Sequence, residues 1–251
     1  MDRLKGKVAL ITGGTSGIGF AAAKIFLAEG ARVAITGHDA DRLQKAHETL
    51  GQKCLPILAD AGDLSSIDRT LDAVQTSFGT PDVLFLNAGI ARYSTLESAT
   101  EAAFDEMFAL HVKGPFFTIQ KAAPRMAAGS SIIITTSVND RIGMKLTHVY
   151  ASTKAAARQL VRTLAGELGP RNIRVNALSP GPVITDIGRT TGMNAQEGQQ
   201  IADYVMGKVP LSRFAEAHEL GSAALFLASD ESSFVNGTEL LVDGGWADVG
   251  Q

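Results

Sequence analysis

Cysteine is almost missing from the 251-residue chain: Cys54 stands alone, which excludes an internal disulfide and offers no cysteine-based metal site. Long apolar runs are missing as well. The longest, such as Val8–Ile11, are far shorter than the ~20 residues of a bilayer-spanning helix, so no membrane role is expected. An excess of one charge is also lacking, with a net charge of -3 and a pI near 6.0, which argues against nucleic acid or a membrane surface as partner. The opening MDRLKGKVALITGG has charges but no apolar stretch of signal-peptide length, so the expected location is cytoplasmic. No repeat, charge block or low-complexity linker divides the chain, and a single domain over 1–251 is expected.

What is present is enough apolar material for a buried sheet, at 45% hydrophobic residues. Strands are expected at Val8–Ile11, Arg32–Thr36, Leu55–Leu58, Val83–Leu86, Ser131–Thr135, Arg174–Leu178 and Leu240–Val242. They are apolar almost throughout, as strands covered on both faces are. Helices are expected between them near 17–29, 40–50, 64–78, 101–127, 150–168 and 216–228, with Asp39 and Ser65 as N-caps and Gly30 and Gly51 as C-cap glycines. The alternation gives an α/β fold: a doubly wound parallel sheet of about seven strands with helices on both faces, a Rossmann fold. The stretch from Pro180 to Leu211 reads as long and irregular, and a lid over a substrate is expected around 182–210.

The turn ITGGTSGIG runs from the first strand into the first helix. Gly13, Gly17 and Gly19 permit a tight turn close to a pyrophosphate, and the helix N-terminus offers N–H groups to that anion. The second strand ends in AITGHDADRL. Gly37 and His38 stand where an NAD-binding carboxylate would meet the ribose diol, and Asp39 is better placed as a helix cap. The missing carboxylate would not repel a 2′-phosphate, so NADP(H) is preferred and NAD(H) stays open. Asp60 is expected near the adenine; its simpler role is to cap the next helix. In HVYASTKAAARQL, Tyr150 and Lys154 lie four apart on one helix face. Any lone pair of this kind is more often surface decoration.

The turn TGGTSGIG, LNAG at 86–89, Ser137, YASTK at 150–154 and VNALSPGPVITD at 175–186 occur in the order seen in short-chain dehydrogenases/reductases. The ending PLSRFAEAHELGSAALFLASDESSFVNGTELLVDGG resembles that family's C-terminal region, so the likeness covers essentially the whole chain. The resemblance implies hydride transfer between a nicotinamide and a small-molecule alcohol or carbonyl, without a metal. It implies catalysis by Ser137, Tyr150 and Lys154, with the phenol passing a proton. A free phenol is a poor base near neutrality, and lowering its pKa by ~3 units takes about 4 kcal/mol, which Lys154 and an oxidised nicotinamide would supply. Ser137 would donate to the substrate oxygen.

The resemblance further implies a cofactor lined by Gly13, Thr15, Ser16, Gly17, Ile18 and Gly19, then Gly37, His38, Asp60 and Ala61, then Asn87, Ala88 and Gly89. Tyr150, Lys154, Pro180, Gly181, Val183 and Thr185 complete it, Val183 through its main chain. Ser137, Asn139, Met144, Tyr150 and Ile184 are expected at the substrate, in a wall that includes Tyr93, Asp140, Arg141 and Met193. Two positions depart from the family pattern. His111 stands in place of an asparagine thought to bend its helix and hold a relay water, so a modified relay and a tolerated replacement are both open. Leu86 also replaces an asparagine, with packing as its expected effect. The leading expectation is an NADPH-dependent ketone reductase/alcohol dehydrogenase. A 3-oxoacyl-thioester reductase is a close rival, in which Arg125 and Arg171 would meet an acidic carrier. A dinucleotide-sensing regulator and a nucleotide-sugar epimerase are weaker alternatives. A homotetramer is expected from the family, with small residues Ala155, Ala156 and Ala157 and the segment ALFLA at 224–228 as interface candidates.

Overall fold

Strands covered on both faces need apolar residues at most positions, and these strands follow that with buried polar exceptions such as Ser131, Asn176 and Ser179. In the computed structural model, which describes residues 2–249, β1 (Val8–Thr12) is buried along its whole length. It is followed by β2 (Arg32–Gly37), β3 (Cys54–Leu58), β4 (Val83–Leu86), β5 (Ser131–Thr135), β6 (Arg174–Pro180) and β7 (Glu239–Val242). All pair in parallel, in the order β3-β2-β1-β4-β5-β6-β7. The seven-stranded doubly wound sheet is therefore as expected.

Side chains alternate across the sheet and divide its core in two. Ala9, Ile11, Val33, Ile35 and Phe85 face one way, against α1 (Gly17–Ala28), α2 (Ala40–Leu50) and α8 (Ala217–Ala228). Val8, Leu10, Ala34, Leu84 and Ile134 face the other. They pack on α3 (Leu64–Phe78), α5 (Gly114–Ala122) and α6 (His148–Leu168). Leu86 belongs to this second cluster and is packing, as expected.

Several local expectations change. Ser65 is not an N-cap: Asp63 caps α3, accepting from the Ser66 N–H at 2.8 Å, and the Ser65 hydroxyl donates to the same carboxylate. A carboxylate wins that position because it accepts both bonds at once. Asp60 caps no helix; it accepts from the Gly62 N–H within its own turn. Asp39 does cap α2, and Gly30 and Gly51 take positive φ after their helices. The long helix expected over 101–127 is interrupted. α4 (Glu101–Phe108) passes into a π-helical turn, Ala109–Lys113, then α5, then a 3-10 turn at Ala123–Arg125. The stretch expected to be irregular holds a 3-10 turn at Asp186–Thr190 and a helix, α7 (Ala195–Met206). Asn194 and Glu197 form a reciprocal capping box that starts it. A short helix α9 (Trp246–Val249) ends the described chain. Among the described residues no helix is long and apolar enough to cross a membrane.

The interface candidates fare unevenly. Ala224, Leu225, Leu227 and Ala228 are buried in this chain's own core, as is Ala157, so they are not free for a partner. Ala155 and Ala156 stay half-buried.

Candidate active site

The sheet order reverses between β1 and β4, and the C-terminal strand ends open there into a crevice, where open α/β sheets bind ligands. The cavity measures about 1300 Å³, larger than an ordinary small-ligand pocket of ~300–1,000 Å³. It is lined by the β1–α1 turn, the ends of β2, β4 and β5, the start of α6 and the segment after β6.

A dinucleotide fits the first turn on two counts. Gly13 and Gly17 have φ of +66° and +53°, and a Cβ on Gly13 would lie 2.8 Å from the Ala88 Cα. Ser16 stands at the N-cap of α1 without a side-chain capping bond, so the leading N–H groups of that helix face the crevice uncapped. By contrast α2, α3, α4 and α7 are capped by Asp39, Asp63, Thr100 and Asn194.

Of the expected cofactor residues, Gly13, Thr15, Ser16, Gly17, Ile18, Gly37, His38, Asp60, Ala61, Asn87, Ala88 and Gly89 line the crevice. So do Tyr150, Lys154, Pro180, Gly181, Val183 and Thr185. Gly19 does not. It packs beneath the turn, where a Cβ would meet the Gly13 carbonyl and the Asn87 amide. Val183 bridges to Ala215 through the flanking Pro182 carbonyl and Ile184 N–H, which leaves its own polar groups on the opposite edge.

Tyr150 and Lys154 stand in the first two turns of α6, buried, with the ammonium 5.6 Å from the ring centroid. The Lys154 ammonium donates to the Thr135 carbonyl at the end of β5 at 3.0 Å, which ties the helix to the sheet. Ser137, two residues past β5, starts the 3-10 turn Val138–Asp140 and accepts from the Asn139 N–H. Burial raises the Tyr150 phenol well above its ordinary value; the Tyr93 ring beside it adds to this and the Ser137 hydroxyl offsets part. Burial also lowers Lys154 to about 8. Desolvation is the largest influence on both groups and favours their neutral forms.

His111 does not line the crevice. It sits behind Tyr150 in the π-helical turn, 2% exposed. Its Nε2 accepts from the Ile90 N–H at 3.1 Å, which fixes the proton on Nδ1. That Nδ1–H donates to the Thr153 hydroxyl at 2.8 Å, and the hydroxyl donates to the Tyr150 carbonyl. Both ring nitrogens are engaged in hydrogen bonds, and His111 brackets three segments.

Asn139, Met144, Ile184, Tyr93 and Met193 line the crevice. Asp140 and Arg141 do not, because they turn back toward β7. Arg141 meets Glu239 at 2.7 Å, and Arg158 lies 3.5 Å from the fully buried Asp140 carboxyl. Burial first, then Glu239, raises Asp140 to about 8. Burial also raises Glu239, but the bonds from Asp140 and Arg141 outweigh it and hold it low. The proton therefore sits on Asp140 and the charge on Glu239. Arg171 donates to the Ala123 and Met126 carbonyls and so caps a helix end.

Sequence reasoning passed over several residues. The Thr12 hydroxyl accepts from the N–H groups of Asn87 and Ala88 and so fixes the β4 turn. Thr190 and Thr191 hold the 3-10 segment to the post-β4 loop, through Ala91, Arg92 and Tyr93. Arg42 reaches from α2 to Asp186. For Thr153 a signal existed, since it lies one turn after Tyr150; the others pair across more than 70 residues and leave no local trace.

A family model described as enoyl-(acyl carrier protein) reductase matches residues 13–247. An oxidoreductase, asL5, from Sarocladium schorii is 39% identical over 251 residues, covering 99% of each chain. The chain belongs to the short-chain dehydrogenase/reductase family. It is accordingly an NAD(P)-dependent oxidoreductase acting between alcohol and carbonyl. Two solved members show the same fold. L-sorbose reductase from Gluconobacter frateurii, complexed with NADPH and L-sorbose, superposes with a TM-score of 0.91 at 31% identity, covering 99% of this chain and all of that one. The 3-ketoacyl-(acyl-carrier-protein) reductase from Brucella melitensis, complexed with NADH, gives 0.89 at 29%, covering 97% and 99%.

Proposed function

We propose that this reductase works mainly in the direction of ketone to alcohol, with NADPH preferred to NADH and Tyr150 as proton donor. The observation that carries the reading is the buried, proton-holding phenol of Tyr150 on the crevice wall beside Lys154 and Ser137. A bound reduced nicotinamide supplies the hydride for the carbonyl carbon. Tyr150 gives its hydroxyl proton to the carbonyl oxygen as that atom gains negative charge, and the raised phenol pKa keeps the proton in place at neutral pH. The Ser137 hydroxyl donates to the same oxygen. Lys154, held by the Thr135 carbonyl, has further N–H groups to offer the cofactor ribose and a charge to steady the phenolate left behind. Asn139, Met144 and Ile184 orient the substrate, and the segment 182–210 covers it.

NADPH is supported by the absence of a carboxylate at the end of β2, where Asp39 is engaged in capping α2. The NADPH and L-sorbose bound by the Gluconobacter relative agree with a small polar ketone. A 3-oxoacyl-thioester substrate is the second reading, favoured by the Brucella relative, with Arg125 exposed for a carrier. A cytoplasmic homotetramer is part of the proposal, on family grounds.

The test is oxidation of NADPH and of NADH against a panel of small ketones and 3-oxoacyl thioesters. Tyr150→Phe should lower turnover by ~10²–10⁴-fold while cofactor binding persists. Near-normal turnover in that variant overturns the role given to Tyr150.

A further inference from the structure

We propose that Arg42 grips the 2′-phosphate of the cofactor, and that it does so by exchanging Asp186 for the phosphate, which unlatches the segment over the crevice. The inference rests on the NADPH reading and names the residue that enforces it.

Arg42 lies in the first turn of α2, where its N–H donates to Asp39 at 3.0 Å, so its backbone is fixed. Its side chain lines the crevice beside Gly37 and His38, the residues that end β2. The guanidinium meets Asp186 at 2.8 Å, across 144 residues of sequence. Asp186 opens the 3-10 turn of the covering segment, so one ion pair joins the adenosine end of the crevice to its lid.

The pair is built to be exchanged. Both side chains are about two-fifths exposed, at 42% and 40%, and a pair so open to solvent is weak. A phosphate offers the guanidinium two parallel charge-assisted bonds, which is the stronger bargain. Asp186 is not left unpaired when Arg42 leaves, because Arg189 of the same turn lies 3.5 Å from its other oxygen. His38, Asp60 and Asp63 also line the crevice. A dinucleotide lacking the 2′-phosphate leaves the Arg42–Asp186 pair in place.

Calorimetric titration with 2′,5′-ADP and with 5′-AMP tests the contact without turnover. The wild type should bind 2′,5′-ADP roughly tenfold tighter or more than 5′-AMP. Arg42→Ala should abolish that preference and leave 5′-AMP binding unchanged. Asp186→Asn should act in the opposite sense and tighten 2′,5′-ADP severalfold. If Arg42→Ala keeps the preference, the inference fails and the NADPH reading stands. If neither the wild type nor Asp186→Asn shows a preference, both fail. If Asp186→Asn weakens 2′,5′-ADP, Asp186 positions Arg42 and does not compete for it, and the exchange is refuted. Trypsin reads the unlatching: cleavage after Arg189, 79% exposed, should quicken with 2′,5′-ADP and not with 5′-AMP. Equal rates refute the unlatching.

Discussion

The Nδ1 of His111 lies 2.8 Å from the hydroxyl of Thr153, in the residue before Lys154. The imidazole is thus joined to the catalytic helix at its most constrained point, with its other nitrogen held by the Ile90 N–H.

Burial first, and then the Lys154 charge, hold His111 well below its usual 6.5. A depressed folded-state value makes its contribution to stability full above the unfolded pKa, near 6.5, and lost as pH falls toward the folded one. Thermal melting of the wild type should therefore fall more steeply below pH 6.5 than that of His111→Asn. Parallel curves would show that His111 does not carry this slope.

Thr12 accepts two N–H groups, from Asn87 and Ala88, at 3.0 and 3.1 Å. Thr12→Val keeps the shape and removes the acceptor. Leaving buried donors unsatisfied costs ~1–3 kcal/mol, and a chain of this size loses ~2–4 °C for each. Melting should drop accordingly, and Thr12→Ser should restore most of it. A Val variant as stable as the wild type would mean that the turn is held elsewhere.

Asp140 runs the other way from His111. Its folded value, raised from 3.8 to about 8 by burial and by Glu239, makes its contribution present at acid pH and lost as pH climbs to about 8. Above that value the carboxyl must ionise while fully buried. Asp140→Asn should raise the melting temperature at pH 9 and change it less at pH 6. Because Asp140 directly follows Asn139 in the turn that begins at Ser137, turnover of the wild type should also decline in that alkaline range, and the variant should resist the decline. Equal melting at pH 9 would remove the argument.

Much of this was legible in the sequence because it is written locally. Every strand was visible in runs such as Val8–Ile11, and the glycine turn, Tyr150 and Lys154 needed only neighbours. Where expectation failed, a contact that only the folded geometry decides had won. Ser65 lost its cap to Asp63 two residues earlier, a contest between two good caps that only geometry decides. The 101–127 helix did carry a break signal, Gly114–Pro115, directly after the π-turn that seats His111 against Ile90 and Thr153, and the expectation of one continuous helix passed over it. The charge of Arg141 looked available to substrate, but Glu239, nearly 100 residues on, had already taken it.

Helix α7 begins on a bond pair closed between its own Asn194 and Glu197, with no help from the sheet. The start of this helix is therefore set by its own residues. So long as Asn194 and Glu197 are kept, the residues that follow them can vary without loss of the helix start, while the groups at Ser137, Tyr150 and Lys154 stand on other elements.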